Sequence, residues 1–380
     1  MIYLDSNSTT QPTPAVRAAV VHALERVWCN PSSLHRAGQE ARRAIERARR
    51  DIATLIGARA GQIVFTSGGT ESASLAIHSL LHLAEPYVPV AVSARTEHPA
   101  VRTLLSWLEQ RGRVRVRWTP VDRGGGVILD ELSPLLQGAT FVSIQWAGNE
   151  TGVIQPVRQI ARLAHEQGCL FHCDATQGVG KTPVSVDGDD APDLLTFSAH
   201  KFHGPKGVGG LCVRAGIDLL AEFPGSQELG RRGGTENVPG IVGMAAAARE
   251  AVEWLEDESN AAVGADLRDR LEAQILARVS GCEVNGDRIE RLWNTTNIVF
   301  PVPAEPLLMS LSERGVCASG GAACASGSLE PSPVLLAMGL DEERALRSVR
   351  LSLSKLTTDE EIDTALDVIV EAVEAIQHMD

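Results

Sequence analysis

Between residues 63 and 213 the chain alternates short apolar runs with segments of helical periodicity, and this alternation constrains the fold most. Runs at 63–65, 88–92, 114–118, 140–145, 169–173, 194–197 and 208–213 read as strands. Stretches at 71–83, 100–111 and 157–167 carry apolar residues at helical spacing. That order predicts an α/β fold around a mostly parallel sheet. Ligands of such sheets collect where strands end and helices begin. Beyond this region, 246–258 and 267–279 read as long helices and 296–300 as a strand, which predicts a smaller α+β unit starting near residue 256.

Composition narrows the function classes. The chain has 380 residues, enough for about two to three domains and for a sizeable core without disulfide staples. Its 35 basic and 48 acidic residues give a net charge of −13, and only 4% of residues are aromatic. Neither a basic footprint for duplex binding nor a set of stacking platforms for single strands is visible, so direct nucleic-acid binding is not expected. The arginine-rich stretch 42–50 alternates with Ala, Ile and Glu and reads as a solvated helix face. No apolar run approaches the ~20 residues of a membrane helix. The first residues, MIYLDSNSTT, lack the marks of a secretory signal, so a cytoplasmic location is expected. Seven scattered cysteines without a CxxC pair fit free thiols in a reducing compartment.

Several strand-to-helix junctions carry candidate chemistry. Ser67-Gly68-Gly69-Thr70-Glu71 sits between a strand and a helix, where glycine backbone and free helix N–H groups suit an anion; an ordinary turn is the plain alternative. Gly178-Val179-Gly180-Lys181-Thr182 imitates the end of a nucleotide-binding P-loop. The first glycine of that motif would fall at Ala175, and Pro183 is poor for the helix it needs, so the nucleotide-binding reading is the distant one. Lys201 follows a strand, beside Ser198, His200 and the Gly204–Gly207 run, and Asp174 ends an earlier strand. A lysine beside an anion shell, with a carboxylate for a pyridine nitrogen, is what a Schiff base to pyridoxal phosphate needs. Taken singly, Lys201 reads as a surface lysine and Asp174 as a helix cap; taken together, they favour the cofactor reading. His98 also lies at a strand-to-helix junction and either moves protons or merely starts a helix. His78 and His82 share a helix face without a third ligand, and Cys169, His172 and Cys173 alternate along a strand, so no metal site is expected. Cys324 sits among small residues, which suits a reactive thiol. Arg350, on an apolar strand, suits a bidentate grip on a carboxylate or is an edge-strand charge.

Together these motifs resemble the cysteine desulfurases, pyridoxal-phosphate enzymes of the class V aminotransferase superfamily. The resemblance runs from Tyr3-Leu4-Asp5 through TSGGTES (66–72), TEHPAV (96–101), GNETG (148–152), DATQ (174–177), SAHKFHGPKG (198–207) and GTENVPG (234–240) to LEPSPVL (329–335) and VRLSLSKLTTDEEID (349–363). It implies a fold-type I transferase with a large cofactor domain at 14–255 and a small domain formed by 1–13 and 256–380. It implies Lys201 as the cofactor-bound lysine, Asp174 on the pyridine nitrogen, and His98 stacked on the ring and moving protons. Asn149 and Gln177 are implied near the ring's phenolic oxygen, and Gly69, Thr70, Ser198 and His200 at the phosphate. Thr235 is implied to reach the phosphate of a second subunit, hence a homodimer. Arg350 and Asn30 are implied at the substrate, and Cys324 as the sulfur acceptor. The implied reaction takes sulfur from L-cysteine, gives L-alanine and passes the sulfur to an acceptor protein. A selenocysteine lyase or another class V enzyme is the nearest alternative. The chain departs from the family pattern at Gly148, Pro224–Ser226, Leu229 and 320–323.

Overall fold

The apolar runs form one sheet of seven strands. Their spatial order is Ile63–Thr66, Gly209–Val213, Leu194–Ser198, Leu170–Asp174, Phe141–Ser143, Val90–Ala94 and Arg115–Thr119. Only Gly209–Val213 runs against its neighbours, so the expected mostly parallel sheet is present. The computed structural model describes residues 1–84, 86–320 and 330–378. Strands Leu194–Ser198 and Gly209–Val213 are buried at every position, as a sheet covered on both faces requires. One face feeds a core with Phe65, Val92, Val142, Phe171 and Phe197; the other meets Val64, Ala91, Phe141, Leu194 and Leu211. The strand expected at 88–92 begins at Val90, because Pro89 has no N–H for a ladder; its carbonyl instead accepts from Arg115.

His172 lies inside this sheet. Its Nδ1 is 2.8 Å from Ser143 Oγ and its Nε2 is 3.0 Å from Thr196 Oγ1, so the ring ties three strands together. Cys169 and Cys173 are buried beside it and free, consistent with the reading of this trio as core. Helices Pro14–Arg26, Arg36–Leu55 and Val238–Glu256 pack on one another against the first face.

A second core joins Leu4 to Leu271, Ile298, Phe300, Leu307, Val349, Leu351, Ile369 and Val373. Its antiparallel sheet contains Glu283–Val284, Thr295–Val299 and Ser348–Ser352. The strand Ile2–Tyr3 pairs in parallel with Val316–Cys317, so the start of the chain is stitched to its last third. Helix Asp359–Gln377 opens with a reciprocal cap, in which Thr358 Oγ1 accepts from Glu361 N and Glu361 accepts from Thr358 N. Arg350 occupies the middle of Ser348–Ser352, opposite Asn297.

Candidate active site

Where these strands end, a cavity of about 400 Å³ opens between the two cores. Gly69, Thr70, His98, Asn149, Asp174, Gln177, Ser198, His200, Lys201 and Arg350 all line it. Residues from six separate stretches of sequence therefore meet there, each placed by a local feature.

Lys201 sits on the single turn Ala199–Lys201 that follows strand Leu194–Ser198. The turn is close because Gly204 lacks a Cβ, which would lie 2.7 Å from that of Ala199. Lys201 Nζ donates to the carbonyls of Asn7 and Ser8, at 2.7 and 2.8 Å. Burial and the nearby Arg350 charge push its pKa down to about 8, against partial support from Asp174 and Asp5. The shift brings a usable minority of the amine into the unprotonated form near neutrality, as a nucleophilic lysine requires.

Asp174 ends strand Leu170–Asp174 and is almost fully buried. Its Oδ1 accepts from Thr176 N at 3.0 Å. His98 is the N-cap of helix Pro99–Gln110, and Pro99 suits the first helical position. His98 Nδ1 accepts from Ala100 N at 3.1 Å, so the neutral ring carries its proton on Nε2. The ring is accessible from the cavity yet walled in elsewhere. This enclosure lowers its pKa, with Lys201 and Arg102 adding to the shift and Asp174 opposing it. Beneath it Glu97 is fully buried and accepts from Gln145 N at 2.7 Å, and burial raises its pKa well above the ordinary carboxylate value.

The Ser67–Glu71 turn packs closely against the neighbouring strand. A Cβ on Gly209 would lie 2.7 Å from Gly68 Cα, so only glycine lets the cradle rest on the neighbouring strand. No side chain caps helix Gly69–His82, which leaves its first N–H groups at the cavity wall. His200 Nδ1 lies 3.2 Å from Thr9 Oγ1, and burial and three lysines push the His200 pKa down to about 4.

Arg350 is 2% exposed and already engaged. Its Nη2 donates to Asp5 Oδ1 and Ser8 Oγ, both at 2.6 Å, and its Nη1 to the Asn149 carbonyl at 3.0 Å. Nε has no partner. The charge is a buried, paired group at the cavity wall and not an exposed edge residue.

Two expected residues lie elsewhere. Thr235 lines a separate depression with Ser67 and Arg232. Asn30 is exposed in the turn before Arg36–Leu55, where its Oδ1 accepts from Ser32 N at 2.9 Å. Cys324 falls outside the described residues. The nearest described residues on either side of it are held in place. Ser319 and Arg350 exchange backbone hydrogen bonds of 3.3 and 2.7 Å, and Ser332 Oγ donates to Glu150 at 2.6 Å.

Asn7, Ser8, Arg102, Gln145, Glu150 and Thr176 also line the cavity and went unread in the sequence. Asn7 and Ser8 lie between Asp5 and Thr9, so the N-terminal motif was the available signal. The P-loop reading of Gly178–Thr182 does not survive: no helix follows it, and the Lys181 amine is buried and bonded inside the protein. His78 is 2.5 Å from Glu222, and among the described residues no three metal-type ligands converge.

Known proteins match along nearly the whole chain. The aminotransferase class-V family model matches residues 2–365. A cysteine desulfurase of Nostoc sp. is 44% identical over 99% of this chain and 94% of its own length. The cysteine desulfurase NifS of Azotobacter vinelandii is 42% identical over 96% of this chain and 90% of its own. A solved NifS-like protein superposes with a TM-score of 0.91 at 35% identity, covering 98% of this chain and 99% of the other. With its strand-end lysine, carboxylate and anion cradle, the chain belongs to the aminotransferase class-V family and, within it, to the NifS-like cysteine desulfurases.

Proposed function

We propose that this chain removes sulfur from L-cysteine, leaving L-alanine and a persulfide on Cys324 for transfer to an acceptor protein. The observation that carries the reading is the meeting of Lys201, Asp174 and the Gly69 cradle in one cavity that Arg350 also enters. The cofactor is pyridoxal 5′-phosphate, and the donor set fits it. Thr176 Oγ1 is buried without a partner, 3.0 Å from where a Cβ on Gly69 would lie, so an unsatisfied hydroxyl waits beside the cradle. Thr70, Ser198 and His200 would complete the phosphate shell, Asp174 would keep the pyridine nitrogen protonated, and Asn149 and Gln177 would face the phenolic oxygen. When bound, this group supplies an electron sink for the charge that develops at the substrate's α-carbon.

The chain's own residues supply the rest. Lys201 Nζ holds the cofactor and then moves a proton. Arg350 turns the substrate carboxylate toward the wall formed by Asn149 and Ser8, and Asn30 contributes from the rim. His98 exchanges a proton through Nε2. The Cys324 thiolate attacks the substrate sulfur: the carbon–sulfur bond breaks, a sulfur–sulfur bond forms and the carbon takes up a proton. Cysteine plus one thiol becomes alanine plus one persulfide, without an external oxidant. Burial pushes the pKa values of Cys169, Cys212 and Cys282 up to about 12 and raises that of Cys173 well above the ordinary thiol value, so these four thiols are poor competitors.

Thr235 reaches the phosphate of a second copy, which makes the working unit a homodimer. Trp28, Leu34 and Leu229, exposed by 70, 93 and 81%, are apolar side chains for such a contact. Regenerating the thiol at each turnover needs a reducing compartment, which is the cytoplasm in this reading. Among the described residues no helix is long and apolar enough to cross a membrane. The acceptor belongs to an iron–sulfur cluster, thiolation or phosphorothioation system. Cys324→Ala tests the persulfide role: alanine formation is expected to fall by at least about 100-fold while the cofactor's visible band is retained. Undiminished sulfur release would favour a selenocysteine-lyase-like route that needs no acceptor thiol.

A further inference from the structure

Lys181, the lysine of the rejected P-loop motif, is 5% exposed and lies behind the cavity wall. Its Nζ donates to Asn7 Oδ1 at 2.8 Å and to Gln177 Oε1 at 2.5 Å. Trp293 Nε1 donates to its carbonyl at 2.9 Å, fixing the turn from the other core. A lysine buried this deeply is costly unless its hydrogens are used. Both contacts use hydrogens that a neutral amine also has, so they hold in either protonation state.

These bonds dictate which way two amides face. Gln177 Nε2 donates to the Asn7 carbonyl at 2.9 Å. Turned over, Gln177 would set a donor against Lys181 and an acceptor against that carbonyl. Asn7 is locked likewise: its Oδ1 also accepts from Asn294 Nδ2 at 3.1 Å, and its Nδ2 donates to Asn149 O and Thr295 Oγ1, at 3.1 and 2.9 Å. The Asn7 carbonyl that receives Gln177 also receives Lys201 Nζ. One buried amine thereby sets the amide on the cavity wall and, through Asn7, the acceptor of the reactive lysine.

We infer that Lys181 is a positioning residue that keeps an N–H of Gln177, and never its carbonyl, turned toward the cavity. A donor there favours the ionised form of a bound phenolic oxygen. The inference rests on the reading that Gln177 faces that oxygen of the cofactor. The charged or titratable groups facing Lys181 are Lys201 and Arg350, with His200 and His203 beyond.

The test is the pH titration of the visible band of the pyridoxal-phosphate-loaded protein, with the melting temperature recorded alongside. Lys181→Met keeps length but cannot donate, and its titration midpoint is expected to rise by about one unit, the effect of losing one charge-assisted hydrogen bond. Gln177→Leu is expected to shift the midpoint equally, and the double variant no further. Lys181→Gln, which keeps two N–H groups, is expected to stay near the wild-type midpoint. It also serves as the test if Lys181→Met does not fold. An unmoved midpoint in Lys181→Met, additive shifts in the double variant, or a Lys181→Gln midpoint as displaced as that of Gln177→Leu would overturn the inference. The absence of any visible band that depends on Lys201 would instead overturn the cofactor reading beneath it.

Discussion

The two sheets deliver charge to the same cavity by opposite means. The seven-stranded sheet does so at strand ends, where Asp174 and Lys201 emerge from apolar runs into turns. The three-stranded sheet does so from mid-strand, where Arg350 is enclosed and must be neutralised within the fold. Lys201 is bonded only to neutral carbonyls, so nothing anionic has to leave before it reacts. Arg350 is paired with Asp5 across 345 residues of sequence, so under the proposed function an incoming carboxylate would compete with a partner already in place. In the proposed function the strand end would provide reactivity, and the mid-strand charge selectivity with its competitor built in.

That contrast breaks most visibly at Arg350. Arg350→Gln is expected to raise the KM for cysteine about 100-fold, within the ~2–5 kcal/mol range for losing one partner of a buried hydrogen-bonded pair. The cofactor band should persist, because the groups proposed to hold the cofactor come from the other sheet. Asp5→Asn sharpens the comparison. If Asp5 competes with substrate, KM falls by up to about fivefold, since a pairing worth about 1 kcal/mol no longer has to be given up. A rise in KM would mean that Asp5 holds the guanidinium in place instead. Steady-state kinetics on both variants separates these outcomes.

A pH-dependent effect concerns the large sheet and its edge. Burial pushes the pKa values of His172, His200 and His203 down to about 4, below the ordinary histidine value of 6.5. The unfolded chain therefore binds protons that the folded one refuses. Stability from this source is complete above pH 6.5 and is lost as pH falls from 6.5 toward 4. Melting temperatures measured across that window should decline with acidification. His172→Asn should flatten the trend, because it removes one of the three groups.

The same difference decides what was legible in the sequence. Strand-end residues announce themselves, because glycines, Ser198 and His200 punctuate apolar runs, and the mostly parallel sheet followed from those runs. Asn7 and Ser8 did not, because their value comes from contacts 142 to 345 residues away. Nor did Lys181, whose local motif suggests a phosphate loop while its side chain turns into the interior. The pairing of Glu150 with Ser332 spans 182 residues and leaves no periodic trace. Position along a strand can be read locally, whereas the partner of a buried polar group depends on how distant segments pack.

The most direct measurement of the central claim is the incubation of the pyridoxal-phosphate-loaded protein with L-cysteine and a thiol reductant, following alanine and sulfide together. Equimolar alanine and sulfide, abolished in Lys201→Ala, is the expected result. Cofactor-loaded protein that forms no alanine would contradict it.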